Sequence, residues 1–329
     1  MRKYKLAVVG ATGVVGKTCQ KVLAEKKLPI SEYVFFASSR SAGKEIDFLG
    51  KKYTIIELKK ENIAKDFDFA LFAAGSDVSK EYIPIFRGNG CICIDKSSLF
   101  RMDPEVPLVV PEVNPEEIAK NTGLIATPNC TTIPATVVLK PLDDKYRIKR
   151  IVYSTYQAVS GAGAAGVTDL ENGAKGIAPT KFTSPIFSNC IPHIDSFVDT
   201  GYTKEEMKTI NETRKILKKP DLKITATTVR VPVFNCHSES VNVEFENDFD
   251  LEELKQVLKN SPGIIVQDDP ANSIYPMACN VDGHDEVFVG RIRRDDSVPY
   301  GVNLWIVSDN IRKGAATNAI QILEKIILM

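Results

Sequence analysis

No run of this sequence approaches the roughly 18 consecutive apolar residues of a membrane-spanning helix, so no membrane partner is expected. The opening Met1-Arg2-Lys3-Tyr4 leads into a strand-like segment instead of the apolar stretch of a secretory signal, and a cytoplasmic location is expected. An excess of either charge is also missing. The 42 Lys and Arg residues stand against 42 Asp and Glu, which leaves no field to gather nucleic acid or an anionic surface. Histidine is scarce, at three residues. The seven cysteines, at 19, 91, 93, 130, 190, 236 and 279, are odd in number and never spaced Cys-x-x-Cys. Neither a disulfide framework nor a zinc site is expected, and no metal is assigned. Most of these thiols read as apolar filler, Cys91 and Cys93 in "CICID" included.

What is present is enough chain, 329 residues, for two domains with separate cores. "KLAVVG" (5–10) is an apolar run ending in glycine, and in the following stretch Val14, Val15, Cys19, Val22 and Leu23 recur at helical spacing. Strand, tight turn and helix follow in that order. Gly10, Gly13 and Gly16 form a G-x-x-G-x-x-G variant of the dinucleotide fingerprint, in which missing side chains let backbone approach a pyrophosphate at a helix N-terminus. The runs "EYVFFASS", "YTIIEL", "FDFALFAAG", "GCICID", "VPLVVPEV" and "TGLIATP", several too apolar for half-exposed strands, alternate with helical segments such as "SKEYIPIFRG". A doubly wound parallel sheet of Rossmann type is expected. Where an NAD site usually carries an acidic residue for the ribose, this chain has "ASSRSAGK". Ser38, Ser39, Arg40 and Lys44 would bond a 2′-phosphate instead of repelling it, which favours NADP; a solvated basic turn is the alternative. None of the ten tyrosines is followed four residues later by lysine. That absence disfavours the alcohol chemistry of short-chain dehydrogenases and directs attention to a thiol.

Cys130, in "ATPNCTTIPA", stands at the exit of a strand-like run and the start of a helical one. A catalytic thiol needs a cationic neighbour or a helix N-terminus. Thr131 and Thr132 read as capping residues and Pro134 suits the first turn, so free backbone donors would face the sulfur or a developing oxyanion. Among His193, His237 and His284, His237 lies between two β-rich runs with Arg230 seven residues earlier. A pair of strands there would bring a base and a cation into one cleft.

Over nearly its whole length the sequence resembles the aspartate-β-semialdehyde dehydrogenase family. The stretches carrying the resemblance are "VVGATGVVG", "SSRSAGK", "SSLFRMDPEVPLVVPEVN", "TPNCTTI", "STYQAVSGAG", "EEMKTINETRKI", "VRVPVFNCHSESV", "FVGRIRRD" and "WIVSDNIRKGAA". The resemblance implies NADPH-dependent reductive dephosphorylation of L-β-aspartyl phosphate to the semialdehyde, a step of lysine, methionine and threonine synthesis. It implies Cys130 as nucleophile, His237 as general acid and base, and Gln157 orienting the acyl intermediate. Arg230 would clamp the substrate carboxylate and Glu212 meet its ammonium, with Arg101, Lys215 and Asn129 at the phosphate. Glu212 and Lys215, three residues apart on one helix, would otherwise read as a surface ion pair. On the cofactor side it implies Gly10, Thr12, Gly13, Val14, Ser38, Arg40, Ser41, Gly75 and Ser76. Ser160, Gly161 and Gly163 would lie on the nicotinamide side, and Asn310, Lys313 and Gly314 would make a late cofactor contact. Lys96 departs from the usual Asn, and 127, 131 and 134 also differ; none removes a catalytic group.

The expected organisation is a cofactor domain over 1–130, completed by a C-terminal helix over 312–329. Residues 131–311 would form an α+β catalytic and dimerisation domain with a mixed sheet, and the assembly would be a homodimer or a tetramer. Two other readings stand beside this one. N-acetyl-glutamyl-phosphate reductase shares the thioester chemistry, but its substrate offers no ammonium to Glu212. A catalytically silent NADP-binding sensor would not need Cys130, Gln157, Arg230 and His237 together.

Overall fold

A computed structural model of the chain describes residues 3–329; Met1 and Arg2, which open the first strand-like segment, lie outside the described residues. The chain forms two compact units, Met1–Pro128 with Ala315–Met329, and Asn129–Gly314. Among the described residues no helix is long and apolar enough to cross a membrane.

The first unit runs β1 (Tyr4–Val9), α1 (Val14–Lys26), β2 (Ile30–Ala37), a hairpin of β3 (Glu45–Phe48) and β4 (Lys51–Thr54), β5 (Ile56–Glu57), β6 (Phe69–Phe72), α2 (Ser76–Gly88), β7 (Ile92–Asp95) and β8 (Leu124–Ala126). Six of these strands make one sheet in the order β5-β2-β1-β6-β7-β8, parallel throughout. Burial on both faces accounts for the unbroken apolar runs: Leu6, Ala7, Val8 and Val9 have almost no exposed surface. The C-terminal helix, Asn318–Leu328, belongs to this unit. Its Ile320, Ile322 and Leu323 join the core of Leu6, Val8, Ile94 and Ile125, and Asn318 Nδ2 donates to the Val109 carbonyl at 2.9 Å.

From β1 the chain first winds to β2 on one side, then returns to β6 on the other. The carboxyl ends of β1 and β6 therefore flank the point where a doubly wound sheet opens to a ligand. Two expected strands differ. "YTIIEL" is split between the end of β4 and the short β5. "VPLVVPEV" forms no strand: only Leu108 bridges, to Ala126. Pro107 and Pro111 remove donors that a ladder would need, although Val109 and Val110 are fully buried. Cys91 and Cys93 are both buried, as core packing requires.

The second unit contains α3 (Thr132–Tyr146), β9 (Ile148–Gln157), α4 (Ala164–Gly173), α5 (Lys204–Ile216), β10 (Lys223–Arg230), β11 (His237–Phe245), α6 (Leu251–Lys259), β12 (Ile264–Val266), α7 (Ala278–Val281), β13 (Val287–Asp295) and β14 (Gly301–Ser308). Its sheet runs β10-β9-β11-β14-β13-β12 and is mixed: β10 with β9 and β12 with β13 are parallel, the other pairs antiparallel. Burial alternates along β11. His237, Glu239, Val241 and Val243 are buried while Ser238, Ser240 and Asn242 are partly open, so one face packs inward and the other does not. The open face carries Tyr156 and Trp305, ring centroids 5.6 Å apart.

Candidate active site

Cys130 enters α3 through a short segment held on three sides. Asn129 Oδ1 accepts from the Thr131 backbone N–H at 2.9 Å and from its hydroxyl at 2.7 Å. The capping side chain is thus Asn129, not Thr131 or Thr132 as the sequence suggested. Thr131 already has αR backbone angles, whereas a capping residue must be extended to turn its oxygen onto the helix donors. The hydroxyl of Thr132 is buried with no partner among the described residues. From α5, Glu205 Oε1 accepts from Asn129 Nδ2 at 2.9 Å and Glu212 Oε2 accepts from the Asn129 backbone N–H at 2.6 Å. Gly314 closes over the other side. A Cβ there would lie 3.0 Å from the Cys130 Cβ, so only glycine allows this approach without displacement.

The thiol faces His237: Sγ and Nε2 are 3.3 Å apart. On the far side of the ring, Nδ1 accepts the Ala158 backbone N–H at 3.0 Å. An imidazole nitrogen that accepts carries no proton, so the neutral ring bears its proton on Nε2 and presents it to the sulfur. Burial pushes the His237 pKa well below the ordinary value, and the Arg230 guanidinium adds to the effect. To take the thiol proton, His237 would have to become imidazolium while buried and facing an N–H at Nδ1. In this arrangement the ring presents a donor to the sulfur. The pH profile of kcat/KM should therefore show no ionisation near the ordinary imidazole pKa of about 6.5 that belongs to His237; such a limb, abolished in His237→Asn, would contradict the assignment.

Arg230 and His237 do not share a strand pair. β9 runs between β10 and β11 and places Gln157 opposite Arg230 in register. Arg230 is buried, and its Nη1 donates to the Ala158 carbonyl at 2.6 Å. Its Nε is also buried, with no partner among the described residues. Burial lowers its pKa, opposed by Glu205 and Cys130. A guanidinium in this condition calls for an anion with two oxygens. The Gly161 backbone lies against the same groups: a Cβ would come within 2.9 Å of Arg230 Nη1 and 3.1 Å of His237 Cε1. Ser160 Oγ accepts from Asn310 Nδ2 at 3.1 Å, and Asn310 Oδ1 accepts the Cys236 N–H at 2.9 Å. Both side chains are thereby engaged within the unit. Lys313 is fully buried, and Gly163, with φ of 79°, starts α4.

In the first unit, Gly10 has φ of 82°, and a Cβ on it would sit 2.6 Å from the Ala73 carbonyl oxygen, so the β1 turn tolerates no side chain. Gly13 and Gly75 are the N-cap residues of α1 and α2, neither with a side-chain cap, and nothing lies within 4 Å of the Gly75 Cβ position. Two uncapped helix starts at the opening of the sheet fit a pyrophosphate. Thr12 and Val14 flank Gly13, and Ser76 opens α2. Ser38, Arg40 and Ser41 form the turn after β2, the first two exposed. Arg101 is buried in this unit, its Nη2 donating to the Lys96 carbonyl at 2.7 Å.

Residues 5–121 match the family described as semialdehyde dehydrogenase, NAD binding domain, and residues 139–313 match semialdehyde dehydrogenase, dimerisation domain. The sequence is 53% identical to aspartate-semialdehyde dehydrogenase of Aquifex aeolicus (strain VF5) over 98% of each chain. The chain belongs to the aspartate-semialdehyde dehydrogenase family. Among solved structures it is similar to aspartate semialdehyde dehydrogenase II from Vibrio cholerae complexed with ASA, with a TM-score of 0.96 and 43% identity, covering 100% of this chain and 99% of that one. It is also similar to aspartate semialdehyde dehydrogenase with NADP from Candida albicans, with a TM-score of 0.79 and 27% identity, covering 99% and 98%.

Within this aspartate-semialdehyde dehydrogenase fold, the second unit gathers Cys130, His237, Gln157, Asn129, Arg230, Glu212, Gly161 and Gly314. Glu212 does not lie at the surface: it is buried and bonded to the Asn129 backbone, with Lys215 half-buried one turn on. Sequence reasoning missed two participants. The Ala158 N–H belongs to the backbone and leaves no mark in the sequence. Glu205 had a usable signal, because "TKEE" (203–206) begins with a Thr and ends with a Glu three residues later, the pattern of a capping box.

Proposed function

We propose that this protein reduces L-β-aspartyl phosphate to L-aspartate-β-semialdehyde with release of phosphate, with NADPH as the reductant and a thioester at Cys130 as intermediate. The observation carrying this reading is the Cys130–His237 contact of 3.3 Å beside a buried guanidinium with an unpartnered nitrogen. The thiolate of Cys130, held by the His237 Nε2–H and the α3 N-terminus, attacks the acyl carbon; the carbonyl pair moves to oxygen. As the carbonyl re-forms, the C–O bond to phosphate breaks and its pair leaves with phosphate, which takes a proton from solvent. A bound NADPH supplies the hydride that reduces the thioester carbon. Collapse of the resulting oxyanion breaks the C–S bond and returns the pair to sulfur. Sulfur starts and ends the cycle as thiolate, so no step requires His237 to carry a second proton. Its N–H serves sulfur and the oxyanion as a fixed donor.

Arg230 receives the α-carboxylate and Glu212 the α-ammonium, while Gln157 orients the acyl group and Asn129 borders the phosphate. Arg101 and Lys215 are assigned to phosphate. Gly10, Thr12, Gly13, Val14, Gly75 and Ser76 would hold the cofactor's pyrophosphate and adenosine half. Ser160, Gly161 and Gly163 would serve the nicotinamide side, and Asn310, Lys313 and Gly314 would support it from behind. The basic turn of Ser38, Arg40 and Ser41 favours NADP over NAD, in keeping with the structure of the Candida albicans relative with NADP. A homodimer through the second unit is proposed: its matched family is described as a dimerisation domain, and the open sheet face there carries Tyr156 and Trp305. A soluble, cytoplasmic enzyme fits these features.

An assay of phosphate-dependent NADPH formation tests the reading. Aspartate semialdehyde with NADP should support turnover. N-acetylglutamate semialdehyde, without an ammonium for Glu212, should be poorer by about 100-fold or more in kcat/KM. Equal rates with the two aldehydes would contradict the substrate assignment.

A further inference from the structure

We propose that Phe182 is a positioning residue for the substrate carboxylate: the loop over 180–182, fastened by Asp169, lays the ring against the Arg230 guanidinium and fixes the plane in which that cation meets an anion. The inference rests on the reading of Arg230 as the carboxylate clamp.

After α4 the chain runs over 174–190 without a helix or strand before it returns to the sheet. Two anchors hold this segment. At its far end Ile191 pairs with Arg230, backbone N–H to carbonyl in both directions, at 2.9 and 2.8 Å. Nearer its middle, Asp169 of α4, only 2% exposed, accepts four hydrogen bonds. Its Oδ1 accepts the Thr180 N–H at 2.9 Å and the Thr180 hydroxyl at 3.0 Å. Its Oδ2 accepts the N–H groups of Lys181 at 2.7 Å and Phe182 at 2.9 Å. Burial by itself would raise the Asp169 pKa, but these donors outweigh it and hold the carboxyl below its ordinary value. One buried carboxylate thus gathers three successive backbone donors and sets the course of the loop.

The consequence falls on Phe182. Its ring packs against the small core of Val159, Leu170, Ile186 and Ile191. Its Cζ sits 3.2 Å from where a Cβ on Gly166 would lie, so the bare backbone of α4 admits the ring. Arg230 Cζ stands over the ring, 5.9 Å from its centroid, within the roughly 6 Å at which a guanidinium is drawn to an aromatic face. The cation is then bounded on several sides. Its Nη1 is held by the Ala158 carbonyl, the Gly161 backbone lies against the same nitrogen, and the Phe182 ring covers another side. Its Nε is buried with no partner among the described residues. A carboxylate reaching Nε must arrive along the edge of the guanidinium, the orientation in which both oxygens can be bonded at once. The ring also keeps water from the cation, and a charge pair gains strength as water is excluded.

The test is a double-mutant cycle on the full-length protein with aspartate semialdehyde, phosphate and NADP, in which Phe182→Leu and Arg230→Lys are made singly and together. Leucine stays apolar and removes the aromatic face. Phe182→Leu is expected to raise the aldehyde KM by about 20-fold and to leave kcat and the phosphate KM within about threefold. In the Arg230→Lys background the same change should raise the aldehyde KM by less than about threefold, since the geometry it protects is already lost. Asp169→Asn, whose amide nitrogen would meet N–H donors where an oxygen now accepts, should raise that KM by about fivefold alone and by less than about twofold beside Phe182→Leu. An unchanged KM in Phe182→Leu, a loss confined to kcat, or effects that simply multiply in either pair would overturn the proposal. If Phe182→Leu does not fold, a ring-fluorinated phenylalanine without a para substituent decides at this position, because it keeps the shape and weakens the π-face. A KM raised about threefold or more, with an unchanged melting temperature, supports the role; a wild-type KM overturns it. Arg230→Lys alone keeps the two claims apart. An unchanged KM there defeats the clamp reading itself, whereas a raised KM there with a wild-type KM in Phe182→Leu defeats only the role of Phe182.

Discussion

Replacing Cys130 by alanine is expected to lower kcat by about 10⁴-fold or more while NADP still binds, because the glycine turn and the helix starts assigned to the cofactor lie in the other unit. Serine should be no better. In a serine enzyme the neighbouring imidazole accepts the hydroxyl proton. Here the Ala158 N–H occupies Nδ1 at 3.0 Å, so the ring already holds its proton on Nε2 and has nowhere to place another. A thiol can do without such a base because it ionises close to neutrality, unlike a hydroxyl. Steady-state rates for the two variants, with NADP affinity measured by fluorescence, provide the check. A Cys130→Ser enzyme within tenfold of wild type would mean that His237 does accept a proton, and the tautomer argued above would be wrong.

Arg230→Lys is expected to raise the KM for aspartate semialdehyde by about 100-fold, with a smaller change in kcat. The guanidinium spends Nη1 on the Ala158 carbonyl, which anchors it, and keeps Nε available for a carboxylate. Lysine offers one point charge on a flexible stem and cannot satisfy the carbonyl and two carboxylate oxygens in the same plane. Arg230 also adds to the low pKa of His237, but burial, the larger cause, remains in the variant, so the imidazole should stay neutral and kcat should move less than KM. An unchanged KM would refute the carboxylate clamp. A loss confined to kcat would place Arg230 on the reacting carbonyl instead.

The sequence disclosed the parts whose physics is local. An apolar run, a glycine turn and a helical repeat within residues 5 to 26 suffice for the opening of a parallel sheet, since each element is set by its own spacing. The thiol at 130 and the imidazole at 237 were recognisable as residue types, but what joins them was not. β9 threads between β10 and β11, so the cleft expected from a strand pair is instead a three-strand arrangement with Gln157 in the middle. The cap of α3 shifted from Thr131 to Asn129 because Thr131 already has αR backbone angles, so the helical turn begins earlier than side-chain preference suggested. "VPLVVPEV" reads as a strand by composition, yet its prolines leave it buried without a ladder. The role of His237 turned on a backbone N–H supplied 79 positions away, a contact that side-chain patterns do not encode. The contacts of Glu205 were hidden for a related reason. Its partners are 76 and 48 residues distant, and only the packing of α5 against the segment before α3 brings a carboxylate to both.

The central claim is that substrate becomes covalently attached to the sulfur at position 130. It is tested most directly by mixing enzyme with aspartate semialdehyde and NADP in the absence of phosphate, quenching in acid, and analysing the proteolytic peptides by mass spectrometry. The account predicts an aspartyl adduct on the peptide containing Cys130, formed in step with about one equivalent of NADPH per active site. NADPH produced while that cysteine stays unmodified would contradict it.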